Sequence, residues 1–157
     1  MAPLGAVNRL STDYVLRVVD TIMSHLGDPL EGLILLALLH GNTEHLSSDV
    51  RGGAGTGAED FVSDAMRRPV RVAEIARRLR LPAETVRRHA GGLLERELCA
   101  RTPDGLMIPA ATLARPAIIA LMGENLINLQ RMFASLAQLG VLRAWDDLRP
   151  TAESTLS

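Results

Sequence analysis

Val70-Arg71-Val72-Ala73-Glu74-Ile75-Ala76-Arg77-Arg78-Leu79-Arg80-Leu81-Pro82-Ala83-Glu84-Thr85-Val86-Arg87-Arg88-His89 is the stretch whose reading decides the fold. Ile75, Ala76 and Leu79 fall on one face of a short helix, and Arg80-Leu81-Pro82 makes a tight connection. Pro82 opens a second helix, since proline suits a first helical turn. Val86, Leu93 and Leu94 take its inward positions, and Ala76 is small where two helices must cross closely. In this pattern one helix braces another and turns its far face outward. The outward positions are Ala83, Glu84, Thr85, Arg87, Arg88 and Gly91.

The 157-residue chain has a net charge of −1, which hides an asymmetry. From Arg67 to Arg101 there are ten arginines against four glutamates, a net +6, and the rest of the chain carries −7. A basic segment inside an acidic chain points to a polyanion-binding face. Every basic residue is arginine, whose planar fork grips phosphate or guanine with two donors at once. Arg87 and Arg88 supply donors for a groove. Thr85 bonds a phosphate or touches a thymine methyl, and Glu84 accepts from cytosine or orients Arg88 at i+4.

These residues resemble the winged helix-turn-helix of bacterial transcription regulators, in its MarR, IclR and Crp-type versions. The resemblance rests on three runs, Val72 to Leu79, Leu81 to His89 and Leu93 to Leu98, and covers about 40 residues. It implies that Pro82 to Glu97 is the recognition helix and that Thr102 to Gly105 is the tip of a wing. The DNA-binding residues expected are Arg71, Pro82, Ala83, Glu84, Thr85, Arg87, Arg88, Arg101, Thr102 and Asp104. Two features depart from the pattern: Arg80 stands where a glycine is usual, and Gly91-Gly92 interrupts the recognition helix at about 1 kcal/mol per glycine against alanine.

The expected fold is mainly α, one domain over 1–157. N-terminal helices occupy 11–48, a flexible glycine-rich loop 49–58, the winged helix-turn-helix 59–109 and C-terminal dimerisation helices 110–149. Met1 to Leu10 reads as a loose arm. Ser11 or Thr12 caps a helix to Leu26 with Val15, Val19, Ile22 and Leu26 on its apolar stripe. Asp28-Pro29 starts a second helix, apolar all round and therefore central, that Gly41-Asn42 weakens or ends. A short helix follows over Glu59 to Met66. Leu98 to Arg101 and Leu106 to Ile108 read as strands around the turn Thr102-Pro103-Asp104-Gly105.

A long helix runs from Pro116 to Leu139, where Gly140 stops it, and a short one holds Trp145. In the long helix Ile119, Met122, Leu126, Leu129, Phe133 and Leu136 recur at alternating steps of three and four, the seam of a homodimer. Ile118, Leu121 and Met132 form a second apolar edge for packing within the chain. Met23, Leu33, Met122 and Leu126 are expected to line a pocket for a small apolar effector.

No cofactor, metal site or catalytic residue is expected. No nucleophile–base pair appears, and His40, Glu44 and His45 match no zinc-protease spacing. Cys99 is the sole cysteine and reads as a small buried residue. With no disulfide to form, no apparent leader and a longest apolar run of only Leu33 to Leu39, the expected setting is the cytoplasm, without a membrane. The expected function is a homodimeric, sequence-specific regulator that binds double-stranded DNA. The alternative is a winged-helix protein-interaction module without DNA binding, and an enzyme ranks last.

Overall fold

The computed structural model describes residues 3–47 and 55–147. The described chain is mainly helical with one two-stranded antiparallel sheet. The order is α1 (Leu4–Leu26), α2 (Pro29–Thr43), two 3-10 turns (Ala58–Asp60 and Asp64–Met66), α3 (Val72–Leu79), α4 (Ala83–Glu95), β1 (Ala100–Thr102), β2 (Gly105–Met107), α5 (Ala110–Leu113), α6 (Pro116–Gln138) and α7 (Val141–Asp147). Where the sequence leads to one domain, contacts divide the chain into two compact units. One is Ile22–Met122 and the other consists of the segments before and after it. Among the described residues no single helix is long and apolar enough to cross a membrane.

The Ile22–Met122 unit is built around α2. Ile34, Leu35 and Leu38 of α2 are buried with Ile75 and Ala76 of α3, with Val86, Ala90 and Leu93 of α4, and with Leu106 of β2. α2 starts as its sequence dictates: Gly27 takes a φ of +75°, and the Asp28 carboxylate caps the helix by accepting from the N–H groups of Leu30 (2.8 Å) and Glu31 (3.2 Å). It is not buried all round, because Leu33 and Leu36 are exposed.

α2 ends at Thr43, directly after Gly41 and Asn42. Asn42 is completely buried and fully bonded. Its Nδ2 donates to the carbonyls of Arg68 (2.7 Å) and Leu106 (3.3 Å), and its Oδ1 accepts from the N–H of Ile108 (3.0 Å). Its own carbonyl accepts from the N–H of Arg68 (2.8 Å). Val70 and Leu106 exchange two backbone hydrogen bonds of 2.8 Å, so residue 70 extends the hairpin by one bridge. Gly105 makes that approach feasible: it has a φ of +143°, and a Cβ there would lie 2.6 Å from the Val70 carbonyl carbon.

Several local expectations are revised. α1 begins at Leu4, not near Ser11, whose hydroxyl donates to the Asn8 carbonyl inside the helix. On α1, Val15 and Val19 are exposed and only Ile22 is buried from the expected stripe. Glu59 to Met66 forms two 3-10 turns in place of one helix, and Asp64 reaches out of the second to accept from the N–H of Ala110 (2.8 Å), which starts α5. β1 begins at Ala100 and β2 ends at Met107, in the register Arg101 opposite Leu106. Residues 49–54 of the glycine-rich loop and the polar tail from Thr151 lie outside the described residues.

In the other unit Tyr14 of α1 donates to Asn125 of α6 (3.1 Å). The seam along α6 divides. Leu136 is buried in its own chain, and Met122 packs against the core of the Ile22–Met122 unit. Ile119 and Leu129 are half-buried, while Leu126 and Phe133 remain 53% and 47% exposed. Ile118 and Leu121 of the second edge are buried, as internal packing requires.

Replacing Asn42 by Leu would leave the Arg68 carbonyl and the Ile108 N–H without their partner, at about 1–3 kcal/mol each, while the Leu106 carbonyl keeps its bond from the Val70 N–H. The expected result in urea denaturation is a loss of about 3–5 kcal/mol of stability. A loss below about 1 kcal/mol would show that water reaches these groups.

Candidate nucleic-acid interface

α3 and α4 are joined by a turn that the sequence makes without glycine. Arg80 adopts the left-handed conformation at φ +55°, and the N–H groups of Arg80 and Leu81 both reach back to the Ala76 carbonyl. This closes α3 in a Schellman-type cap. α4 ends the same way: Glu97 takes φ +56°, and Leu98 N–H donates to the Leu93 carbonyl (2.9 Å). Pro82 precedes α4 at its N-cap and offers no side-chain cap, which leaves the N–H groups of the first turn to solvent or to an anion.

On α4 the side chains of Ala83, Glu84, Arg87 and Arg88 are exposed and Thr85 is half-buried, while Val86, Ala90 and Leu93 face the core. Glu84 pairs with Arg87 at i+3, not with Arg88 at i+4. Arg88 has no ion-pair or hydrogen-bond partner among the described residues, and the same holds for Arg71, Arg77, Arg80 and Arg101, all exposed. Arg71, Arg101, Thr102, Pro103 and Asp104 line one open groove of about 390 Å³ beside the hairpin tip. The tip is held by Thr102, whose hydroxyl donates to the Gly105 carbonyl (3.0 Å) and accepts from the Asp104 N–H (3.2 Å).

A polar network behind α4 was not legible in the sequence. The second oxygen of the Asp28 carboxylate lies 3.2 Å from His89 Nδ1. Glu31 pairs with Arg96, whose guanidinium also donates to the Leu26 carbonyl (3.1 Å). Arg115 donates to the Glu97 carbonyl (2.9 Å). His89 therefore faces a carboxylate of its own chain. At Gly92 a Cβ would push the Glu31 carboxylate from its place beside Arg96. Nothing in the structure explains Gly91. Asp28, Glu31 and His89 have metal-like spacing, but Arg96 already supplies the cation at Glu31.

The remaining polar candidates are engaged. Glu44 accepts from Arg78 (2.7 Å) and lies 3.2 Å from His40 Nε2; the Arg78 hydrogen bond holds its carboxyl below the usual range. His45 Nε2 donates to the Met66 carbonyl (2.9 Å), since a carbonyl can only accept. Of the four residues expected to line an effector pocket, Met23, Leu33 and Leu126 are exposed. The apolar cavity that Met122 shares with Leu35, Leu39 and Leu121 holds about 20 Å³, enough for one water. No family model, curated protein or solved structure matches the chain.

Cys99 is buried, and desolvation pushes its thiol up to about 11. Iodoacetamide at pH 8 should leave it unmodified in the folded protein and modify it fully in urea, read by mass spectrometry. Rapid labelling of the folded chain would mean that β1 opens readily.

Proposed function

We propose that the chain is a homodimeric transcription regulator that binds double-stranded DNA in a sequence-specific way. In this reading residues 59–109 form a winged helix-turn-helix, α4 is the recognition helix and the β1–β2 hairpin is the wing. The observation that carries it is the set of exposed arginines without internal partners. Arg88 lies on α4, Arg71, Arg77 and Arg80 on or beside α3, and Arg101 on the hairpin. Other arginines of this unit have acceptors, as Arg78, Arg96 and Arg115 do, while exposed Arg68, just ahead of α3, adds a further guanidinium without one among the described residues. Free guanidinium groups on a reading helix and its flanks suit a phosphate backbone. The uncapped first turn of α4 adds N–H donors of the kind that bind phosphate.

Dimerisation fits the exposed apolar side chains of α1 and α6: Val15, Leu16 and Val19 on one, Leu126, Ile127 and Phe133 on the other. Such clusters mark an interface. The occupant proposed is a second copy, because one reading helix covers only a half-site and two-fold symmetry supplies the other. Met122 and Leu136, spent within the chain, contribute little to it.

Arg87 shares a helical face with Ala83 and Glu84 one turn earlier, and its pair with Glu84 aims it along that face. It is assigned to base edges, and Arg88 to phosphate. Arg87→Ala should cost about 1–3 kcal/mol per half-site on the preferred DNA and relax one base position. Arg88→Ala should weaken binding to all sequences alike and reduce the salt slope of log affinity by about 2 in a dimer. Fluorescence titration of each variant on specific and scrambled duplexes, across a salt series, reads both effects and should saturate at two chains per site. Unchanged binding by both variants would turn the reading toward a protein-interaction module, and saturation at one chain would remove the dimer.

A further inference from the structure

Arg67 is 7% exposed, yet its guanidinium is only partly satisfied. Nε donates to the Val62 carbonyl (2.9 Å), and among the described residues nothing accepts from the two Nη groups. Burial lowers its pKa and nearby Asp64 raises it, but Arg67 is not ion-paired with Asp64 among the described residues, and that carboxylate accepts from Ala110 N–H. A guanidinium stays charged under any such shift. The two Nη groups are not fully enclosed and open onto the adjoining cavity, where a planar two-oxygen acceptor fits their free edge.

The guanidinium borders an open cavity of about 270 Å³, small for a ligand pocket. Its walls are apolar: Leu39, Phe61, Val62, Leu113 and Met122. The two other polar side chains at its edge are engaged. Thr43 donates to the Leu39 carbonyl (3.2 Å), and Asp60 accepts from the Gly57 N–H (3.0 Å). We infer that this cavity binds a small, largely apolar molecule bearing one carboxylate, with Arg67 as its anchor. The negative charges of Asp60 and Asp64 favour a monoanion over a phosphate dianion.

The site goes beyond the DNA-binding reading and stands without it, because binding is read directly. Its consequence for a regulator would pass through the backbone. Arg68, the next residue, is bonded to Asn42, and Val70 is bridged to Leu106 immediately before α3.

The test is an amide NMR titration of the full chain with octanoate, with octan-1-ol and with inorganic phosphate. Octanoate should give saturable shifts at Val62, Arg67 and Leu113, with an affinity about tenfold above that of octan-1-ol. Arg67→Met, which keeps the stem and loses the fork, should bring the two ligands level. Should that variant fail to fold, Val62→Trp, which fills the cavity from its rim, should abolish both. Absence of saturable octanoate shifts, equal affinity for octan-1-ol in the wild type, tighter binding of phosphate, or undiminished octanoate binding by Val62→Trp would each overturn the proposal.

Discussion

The buried carboxamide of Asn42 joins three stretches of chain that are far apart in sequence. It bonds Arg68 at a separation of 26 residues, Leu106 at 64 and Ile108 at 66. The Arg68 carbonyl and the Ile108 N–H would each cost about 1–3 kcal/mol if buried unpaired, and the Leu106 carbonyl is held a second time by Val70, so the arrangement tolerates little slippage. α2 carries Asn42 at one end and the apolar bed for α3 and α4 along its length. A shift of the hairpin by one residue would break the carboxamide contacts and turn Leu106 out of the core. The entry to α3, the hairpin and the helix beneath them are thereby tied to one side chain.

The helix pair was legible because its signals are local. Helical spacing placed Ile75, Ala76, Val86 and Leu93 inward, Pro82 marked the start of α4, and Thr102-Pro103-Asp104-Gly105 marked the turn. Gly41-Asn42 marks the end of α2 in the sequence, but the tertiary role of Asn42 is invisible there because local propensity says nothing of partners tens of residues away. Ser11 has a cap's chemistry, whereas the Pro3 carbonyl accepts from the N–H groups of Ala6 and Val7 and starts α1 eight residues earlier. Periodicity identified the apolar face of α6 correctly but could not tell which part of it the chain itself would cover. Leu136 and Phe133 differ by less than one turn, and one is buried while the other is exposed.

The candidate interface was legible in charge and obscure in detail. An excess of arginine over glutamate between Arg67 and Arg101 identified the segment, but not which arginines are free. Arg78, Arg87 and Arg96 carry carboxylate partners, and Arg67 is turned inward. Of those that remain unpaired among the described residues, Arg71, Arg77, Arg80, Arg88 and Arg101 lie on or beside α3, α4 and the hairpin, and Arg68 precedes α3. Behind them, Asp28 and Glu31 at the start of α2 contact His89 and Arg96 on and just after α4, so α4 is braced by the Glu31–Arg96 ion pair and the Asp28–His89 contact as well as by its apolar face. Both acids also suit the positive end of α2.

Selection of bound sequences from random duplex DNA tests the central claim most directly. The account predicts enrichment of one two-fold symmetric motif whose half-site centres lie about 34–36 Å apart, one turn of the duplex. Recovery of unenriched DNA after repeated rounds, at a salt concentration where the protein is folded, would contradict it.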